Sequence, residues 1–341
     1  MEKTDAACPV FGICGGCAYQ DILYEEELKI KEDKLKELFR RELGIPESCF
    51  DDIVPSPKPY HYRHRLDVGA IKSKTGEFLM GFMSEEPHRM VSIESCSIAD
   101  ERVSDFLPQL KRLAEEKWLP GYKRANLVVK TDDSGRLFWG GIGRRSLSMC
   151  EEDYLFVDVD GKRIFYALDT FFQANLSILP HVMSKIKSLG VWNPAVEFYD
   201  LYGGVGLFGI CLSDYVGRVV VIEECEASAR LAKYNTHYHD LAEKVEIVKG
   251  SVEDHLPAPL DATKLAKRIA IVDPPRKGLK VSVINALAEA FDGLLYLSCS
   301  PHSLVRDLKF LMQRGWVLDR IIPLDFFPKT RHLETLVYLV P

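Results

Sequence analysis

From about Ala167 onward the chain alternates short apolar runs with longer amphipathic ones, and this rhythm restricts the fold more than any other feature. Val196–Tyr202, Arg218–Glu223, Val245–Lys249, Arg268–Asp273 and Gly293–Ser298 are candidate strands. Helical stretches near 206–214, 226–240, 281–290 and 301–314 separate most of them. Such alternation predicts a doubly wound, largely parallel α/β sheet. Residues 60–165 behave differently. Short alternating runs recur there (Arg65–Ile71, Asn126–Lys130, Leu137–Trp139), separated by turns such as Asp132-Asp133-Ser134-Gly135 and Asp160-Gly161. They predict a mostly antiparallel sheet with a helix near 101–117. Before it, Tyr24 to Leu43 reads as an amphipathic helix with Leu28, Leu35, Leu38 and Phe39 on its apolar stripe and Gly44 as its stop.

At 341 residues the chain is long enough for more than one core. No stretch approaches eighteen uninterrupted apolar residues, and no apolar h-region follows the N-terminus. The expectation is a cytoplasmic monomer with no membrane association. The net charge of −6 argues against indiscriminate coating of nucleic acid but allows a local basic groove. Nine cysteines form an odd set, better read as ligands, a nucleophile and bystanders than as disulfides.

Three strand ends carry chemistry. Gly204-Val205-Gly206-Leu207-Phe208-Gly209 fits G-x-G-x-x-G, and Glu223 ends the next candidate strand, where an acid can accept ribose hydroxyls. The glycine pattern alone serves either a dinucleotide or S-adenosylmethionine (SAM). Asp200, ahead of the glycines, is placed to meet a cationic amino-acid tail, and Asp273-Pro274-Pro275 resembles the acidic Pro-Pro turn of methyltransferases. Both favour SAM. The third strand end is Leu297-Ser298-Cys299-Ser300-Pro301. A lone cysteine there is ordinarily a small buried hydrophobe. Beside a methyl donor it has another use. Carbon 5 of a pyrimidine is too weak a nucleophile to attack a sulfonium methyl until a thiolate adds to carbon 6. A base must then remove the proton from carbon 5, and Glu334, just before the apolar tail Leu336–Val340, is the candidate.

These residues resemble the RNA (uracil-5-)-methyltransferase family, the makers of 5-methyluridine in ribosomal and transfer RNA. The likeness runs through Phe171-Phe172-Gln173-Ala174-Asn175, Asp200–Gly206, Asp273–Gly278, Ser298–Pro301 and Asp325–Glu334. It implies a Rossmann-like class I methyltransferase domain (167–341), a central antiparallel β-rich domain that binds RNA (51–166), and an N-terminal iron–sulfur segment with a helix (1–50). It makes Cys299 the nucleophile and Glu334 the base. Gln173, Tyr202, Gly204, Leu207, Glu223, Ser251 and Asp273 then stand at SAM-contacting positions. Leu207 replaces an occasional polar residue, Ser251 a more usual Asn, and Gly203 a frequent Cys.

Cys8, Cys14 and Cys17, with Cys96, match the family's ligands for a [4Fe-4S] cluster; four thiolates taken alone would also suit zinc. Cys49, Cys150, Cys211 and Cys225 are expected to be structural. Many relatives carry a small β-barrel RNA-binding domain before the cluster; with seven residues ahead of Cys8, that domain is expected to be absent here. RNA contact is expected at Tyr60-His61-Tyr62-Arg63-His64-Arg65, with Arg276 and Lys277 on flanking phosphates. The target uridine must leave its stack. Ribosomal RNA, 23S in particular, is the expected substrate, with transfer RNA as the alternative. Arg276 after Pro-Pro disagrees with a 5-methylcytosine enzyme, which uses Cys there, and with an N6-adenine enzyme, which wants an aromatic. A non-catalytic RNA-binding iron–sulfur protein would need neither Cys299 nor Glu334.

Overall fold

The computed structural model describes residues 3–73, 75–85, 89–119, 121–143, 146–260 and 266–341. Helix α1 (Tyr24–Leu43) has the expected span, and Gly44, at φ 68°, returns its N–H to the Arg40 carbonyl. Its buried face holds Leu35, Leu38 and Phe39 as expected, but also Glu27 and Lys31.

Strands β1 (Arg65–Lys72), β2 (Phe78–Met83) and β3 (Met90–Ser92) precede helix α2 (Glu101–Glu116), and β4 (Arg124–Thr131) and β5 (Leu137–Gly140) follow it. They form an antiparallel sheet of order β3-β2-β1-β4-β5. Alternate residues of β1 are buried, the period-2 pattern of a strand with one covered face. Val103, Leu107, Leu110 and Ala114 of α2 supply the cover, packing with Leu66, Val68, Leu127 and Val129.

A hairpin of β6 (Leu155–Val159) and β7 (Lys162–Tyr166) turns at Asp160 and Gly161, both at positive φ. Its apolar side chains join those of the C-terminal sheet rather than the five-stranded one. Alternation alone cannot say which sheet a hairpin covers.

The remaining elements are α3 (Leu179–Lys187), β8 (Val196–Leu201), α4 (Leu207–Leu212), β9 (Arg218–Glu223), α5 (Glu226–Tyr238), β10 (Val245–Lys249), α6 (Val252–His255), β11 (Lys267–Val272), α7 (Val281–Ala290), β12 (Gly293–Ser298), α8 (Pro301–Met312), β13 (Val317–Leu324) and β14 (Glu334–Val340). The seven-stranded sheet has the order β10-β9-β8-β11-β12-β14-β13. It is parallel from β10 to β12, while β14 runs antiparallel between β12 and β13. This is the expected class I methyltransferase α/β arrangement. Strand order reverses between β8 and β11, so the crevice beyond their carboxyl ends is where such a sheet receives a ligand. Helix α3 and strand β13 were not among the expected elements. Among the described residues no helix is long and apolar enough to cross a membrane.

Candidate active site

Beyond β8 the chain must turn sharply into α4. Tyr202, Gly204 and Gly206 all take positive φ (60°, 56° and 85°), which is costly for Tyr202 and free for the glycines. The turn lines a narrow cleft with Gln173, Tyr202, Gly204, Leu207 and Asp273, five of the expected cofactor residues, and Phe171 stands 64% exposed at its edge. Gln173 Nε2 donates to Asp273 Oδ2 at 3.1 Å across the cleft. At about 30 Å³ the cleft holds a water or two and must widen for a nucleoside.

Two expected contacts stand elsewhere. Glu223 reaches the cleft only through the loop, because Oε2 accepts the Gly204 N–H at 2.9 Å and Oε1 the Cys225 N–H at 2.6 Å. Ser251 stands just before α6, its hydroxyl donating to Asp254 Oδ2 at 2.6 Å rather than facing the cleft. Asp200 also departs from expectation. It is 1% exposed beneath the loop and accepts the Gly209 N–H at 2.8 Å, so it fastens the start of α4 and does not face the cleft. Burial pushes its carboxyl up to about 8.

Cys299 follows β12 directly, and Glu334 is the first residue of β14. Ser298 pairs with Thr335 in the antiparallel ladder, so the next step along each chain brings Cys299 and Glu334 opposite one another. Glu334 is 6% exposed, and its Oε2 has no hydrogen-bond partner. Burial, then the neighbouring Asp273 carboxylate, push it well above the ordinary range, against the pull of Arg276. Burial likewise pushes Asp273 up to about 7, which its bond from Gln173 opposes. The Cys299 thiol is raised by burial and by Glu334, and Arg276 lowers it by its charge and a hydrogen bond. Arg276 therefore serves the thiol as well as facing solvent, a role its sequence position did not reveal. Its loop is pinned to α8, where Ser303 Oγ donates to the Arg276 carbonyl at 2.7 Å and Asp307 Oδ2 accepts the Leu279 N–H at 2.7 Å.

Cys8, Cys14, Cys17 and Cys96 line one cavity of about 230 Å³ with Val10, Phe11 and Phe82. Burial pushes the Cys17 thiol up to about 12 and raises Cys14 and Cys96 as well. Among the described residues, no group of three or more His, Cys, Asp or Glu converges closely enough to hold a metal ion. Of the other thiols only Cys211 is buried; Cys150 and Cys225 are exposed and support no core.

The expected RNA segment is only partly accessible, with Tyr62 and His64 buried and Tyr60, Arg63 and Arg65 half-buried. Tyr62 is fully buried, its hydroxyl donating to the Pro328 carbonyl at 3.0 Å. His64 is 7% exposed, burial lowering its pKa below the ordinary imidazole value, and Arg65 is paired to Asp67 at 2.6 Å. Arg63 lines the cysteine cavity. Aromatic and cationic alternation here belongs to a seam between elements, leaving His61 as the exposed member.

Comparison with known proteins agrees with this geometry. The profile of the tRNA (Uracil-5-)-methyltransferase family matches residues 142–341. Uncharacterized RNA methyltransferases of Clostridium tetani and Thermotoga maritima are each 27% identical, over 99% of this chain and 84% and 85% of their own lengths. The crystal structure of Pyrococcus abyssi tRNA (uracil-54, C5)-methyltransferase in complex with S-adenosyl-L-homocysteine superposes with a TM-score of 0.73 at 23% identity, covering 95% of this chain and 86% of that one. The chain belongs to the tRNA (uracil-5-)-methyltransferase family and is a SAM-dependent RNA methyltransferase.

Proposed function

We propose that the protein methylates carbon 5 of a uridine in RNA through a covalent bond between Cys299 and carbon 6. The observation that carries this reading is the β12–β14 register, which sets a thiol and an unpartnered buried carboxyl side by side at the ligand edge of the sheet. Arg276 favours the thiolate. The thiolate adds to carbon 6, carbon 5 gains carbanion character, and it takes the methyl group of SAM. Glu334 then accepts the carbon 5 proton, the carbon–sulfur bond breaks, and the thiolate is restored. Burial raises the proton affinity of the Glu334 carboxylate, which strengthens it as a base once it is ionised. SAM brings a sulfonium whose positive charge favours the ionised forms of Asp273 and Glu334. Gln173, Tyr202, Gly204, Leu207 and Asp273 are the proposed cofactor contacts, with Glu223 and Ser251 requiring rearrangement to join them.

The three regions at 1–50, 51–166 and 167–341 remain our reading of the organisation, with β6 and β7 packed on the third. Cys8, Cys14, Cys17 and Cys96 are proposed to hold a [4Fe-4S] cluster. A cavity of about 230 Å³ ringed by them suits an inorganic group larger than a single ion. Anaerobic purification tests this: iron and acid-labile sulfide bound in equal amounts support the cluster, and zinc or a metal-free protein refutes it.

Ribosomal RNA is the proposed substrate. Transfer RNA is the second reading, favoured by the family's description and by the activity of the Pyrococcus abyssi enzyme. Mass-spectrometric mapping of 5-methyluridine in both RNAs, from cells with and without the gene, decides between them. A 5-fluorouridine RNA should be trapped on Cys299, because fluorine replaces the proton Glu334 removes; failure to trap refutes the covalent mechanism.

A further inference from the structure

Cys299 lines a second cavity, of about 410 Å³, whose wall includes neither Glu334 nor Asp273. Helix α1 and the segment before it supply Tyr19, Lys34, Glu37 and Arg41 to this wall, and Arg331 comes from the loop leading to Glu334. Its size is that of a small-molecule site. In a chain of net charge −6, four cations, Lys31, Lys34, Arg41 and Arg331, line one opening against the single carboxylate of Glu37. Lys31 is buried and committed to Glu27 and Asp325, but the other three are only lightly engaged. Lys34 donates to the Tyr19 hydroxyl at 3.0 Å, and Arg41 and Arg331 form solvent-exposed pairs with Glu42 and Glu85. Exposed pairs of this kind are weak and readily exchanged for another anion.

A uridine bonded to Cys299 stays tethered to its neighbours by the sugar–phosphate chain. The next nucleotide must lie within one backbone step of the thiol, and this cavity is space within that reach. We propose that it receives the nucleotide adjacent to the target uridine, with the phosphate held by Lys34 and Arg41 and the base seated against Tyr19. This rests on the covalent reading given above. It makes the N-terminal helix part of the RNA-binding surface, in place of the partly buried segment around Tyr62.

The test measures affinity of the full chain for short single-stranded RNAs that end at 5-fluorouridine or extend one nucleotide beyond it on the 5′ or 3′ side. One of the two extensions should tighten binding by about tenfold. Lys34→Ala combined with Arg41→Ala should remove most of that gain and flatten the log–log salt dependence on the extended RNA by about one unit. An equal gain in both proteins, or no gain from either extension, overturns the proposal. Adduct formation is scored separately in the same samples. Its absence strikes the covalent reading alone, since the affinity difference is read without turnover.

Discussion

Lys31 Nζ lies 2.8 Å from Asp325 Oδ1, across 294 residues of chain. The same ammonium is 2.7 Å from Glu27 Oε1 and donates to the Phe327 carbonyl at 3.0 Å. Tyr24 donates to the other Asp325 oxygen at 2.7 Å, and Glu27 accepts the Lys329 N–H at 2.6 Å. The Lys329 carbonyl in turn accepts the N–H groups of Ala18 and Tyr19. Helix α1 and the cysteine segment are thus fastened to the loop that delivers Glu334.

Removing one member of a buried ion network leaves an uncompensated charge, which costs about 3–5 kcal/mol. Lys31→Met should lower unfolding free energy by that order, because Glu27 and Asp325 then face each other without their shared cation. Lys31→Met with Asp325→Leu should recover part of the loss. Urea unfolding of both variants checks this; a double variant less stable than the single one contradicts the network account.

That network also marks where sequence reasoning stopped. The span of α1 was legible because its Leu and Phe spacing follows 3.6 residues and Gly44 ends it. Glu27 and Lys31 read as solvated charges, since their partners at 325 and 329 are invisible to local periodicity. The parallel strands were legible as apolar runs between helices. Strand β13 was not, and without it neither was the sandwiching of β14 that brings Glu334 to Cys299. The alternation at 60–65 carries the residue types of an RNA surface, and local pattern could not show that Tyr62 and His64 among them are buried.

Cys299→Ala should abolish methylation while leaving SAM affinity nearly unchanged, because the cleft lining does not include the thiol. Glu334→Gln should instead halt after methyl transfer and accumulate a methylated RNA–protein adduct, visible as a shifted band on a denaturing gel. Normal turnover by either variant removes that residue from its assigned step.

Asp200 makes stability depend on pH. Its folded pKa is about 8, above the unfolded carboxylate value of roughly 4. Between these values the folded chain holds a proton that the unfolded chain releases, so stability falls as pH rises through that window. Asp273, raised to about 7, adds to the same slope. Asp200→Asn keeps an acceptor for the Gly209 N–H and should flatten the decline. Urea midpoints at pH 5 and pH 8 measure it, and an unchanged slope in the variant counts against the assignment.

Arg276 opposes the burial and the two carboxylates that raise the Cys299 thiol. Replacing it with Gln removes the positive charge, so the thiol pKa should rise. The thiolate-dependent limb of the kcat/KM profile should then shift to higher pH by the same amount, with lost activity partly recovered in alkaline buffer. Arg276→Lys keeps the charge and should leave the limb near its original position. The alkylation rate of Cys299 in the RNA-free protein offers an independent readout. If Gln and Lys at 276 gave the same pH profile, Arg276 would be acting on RNA phosphates rather than on the thiol.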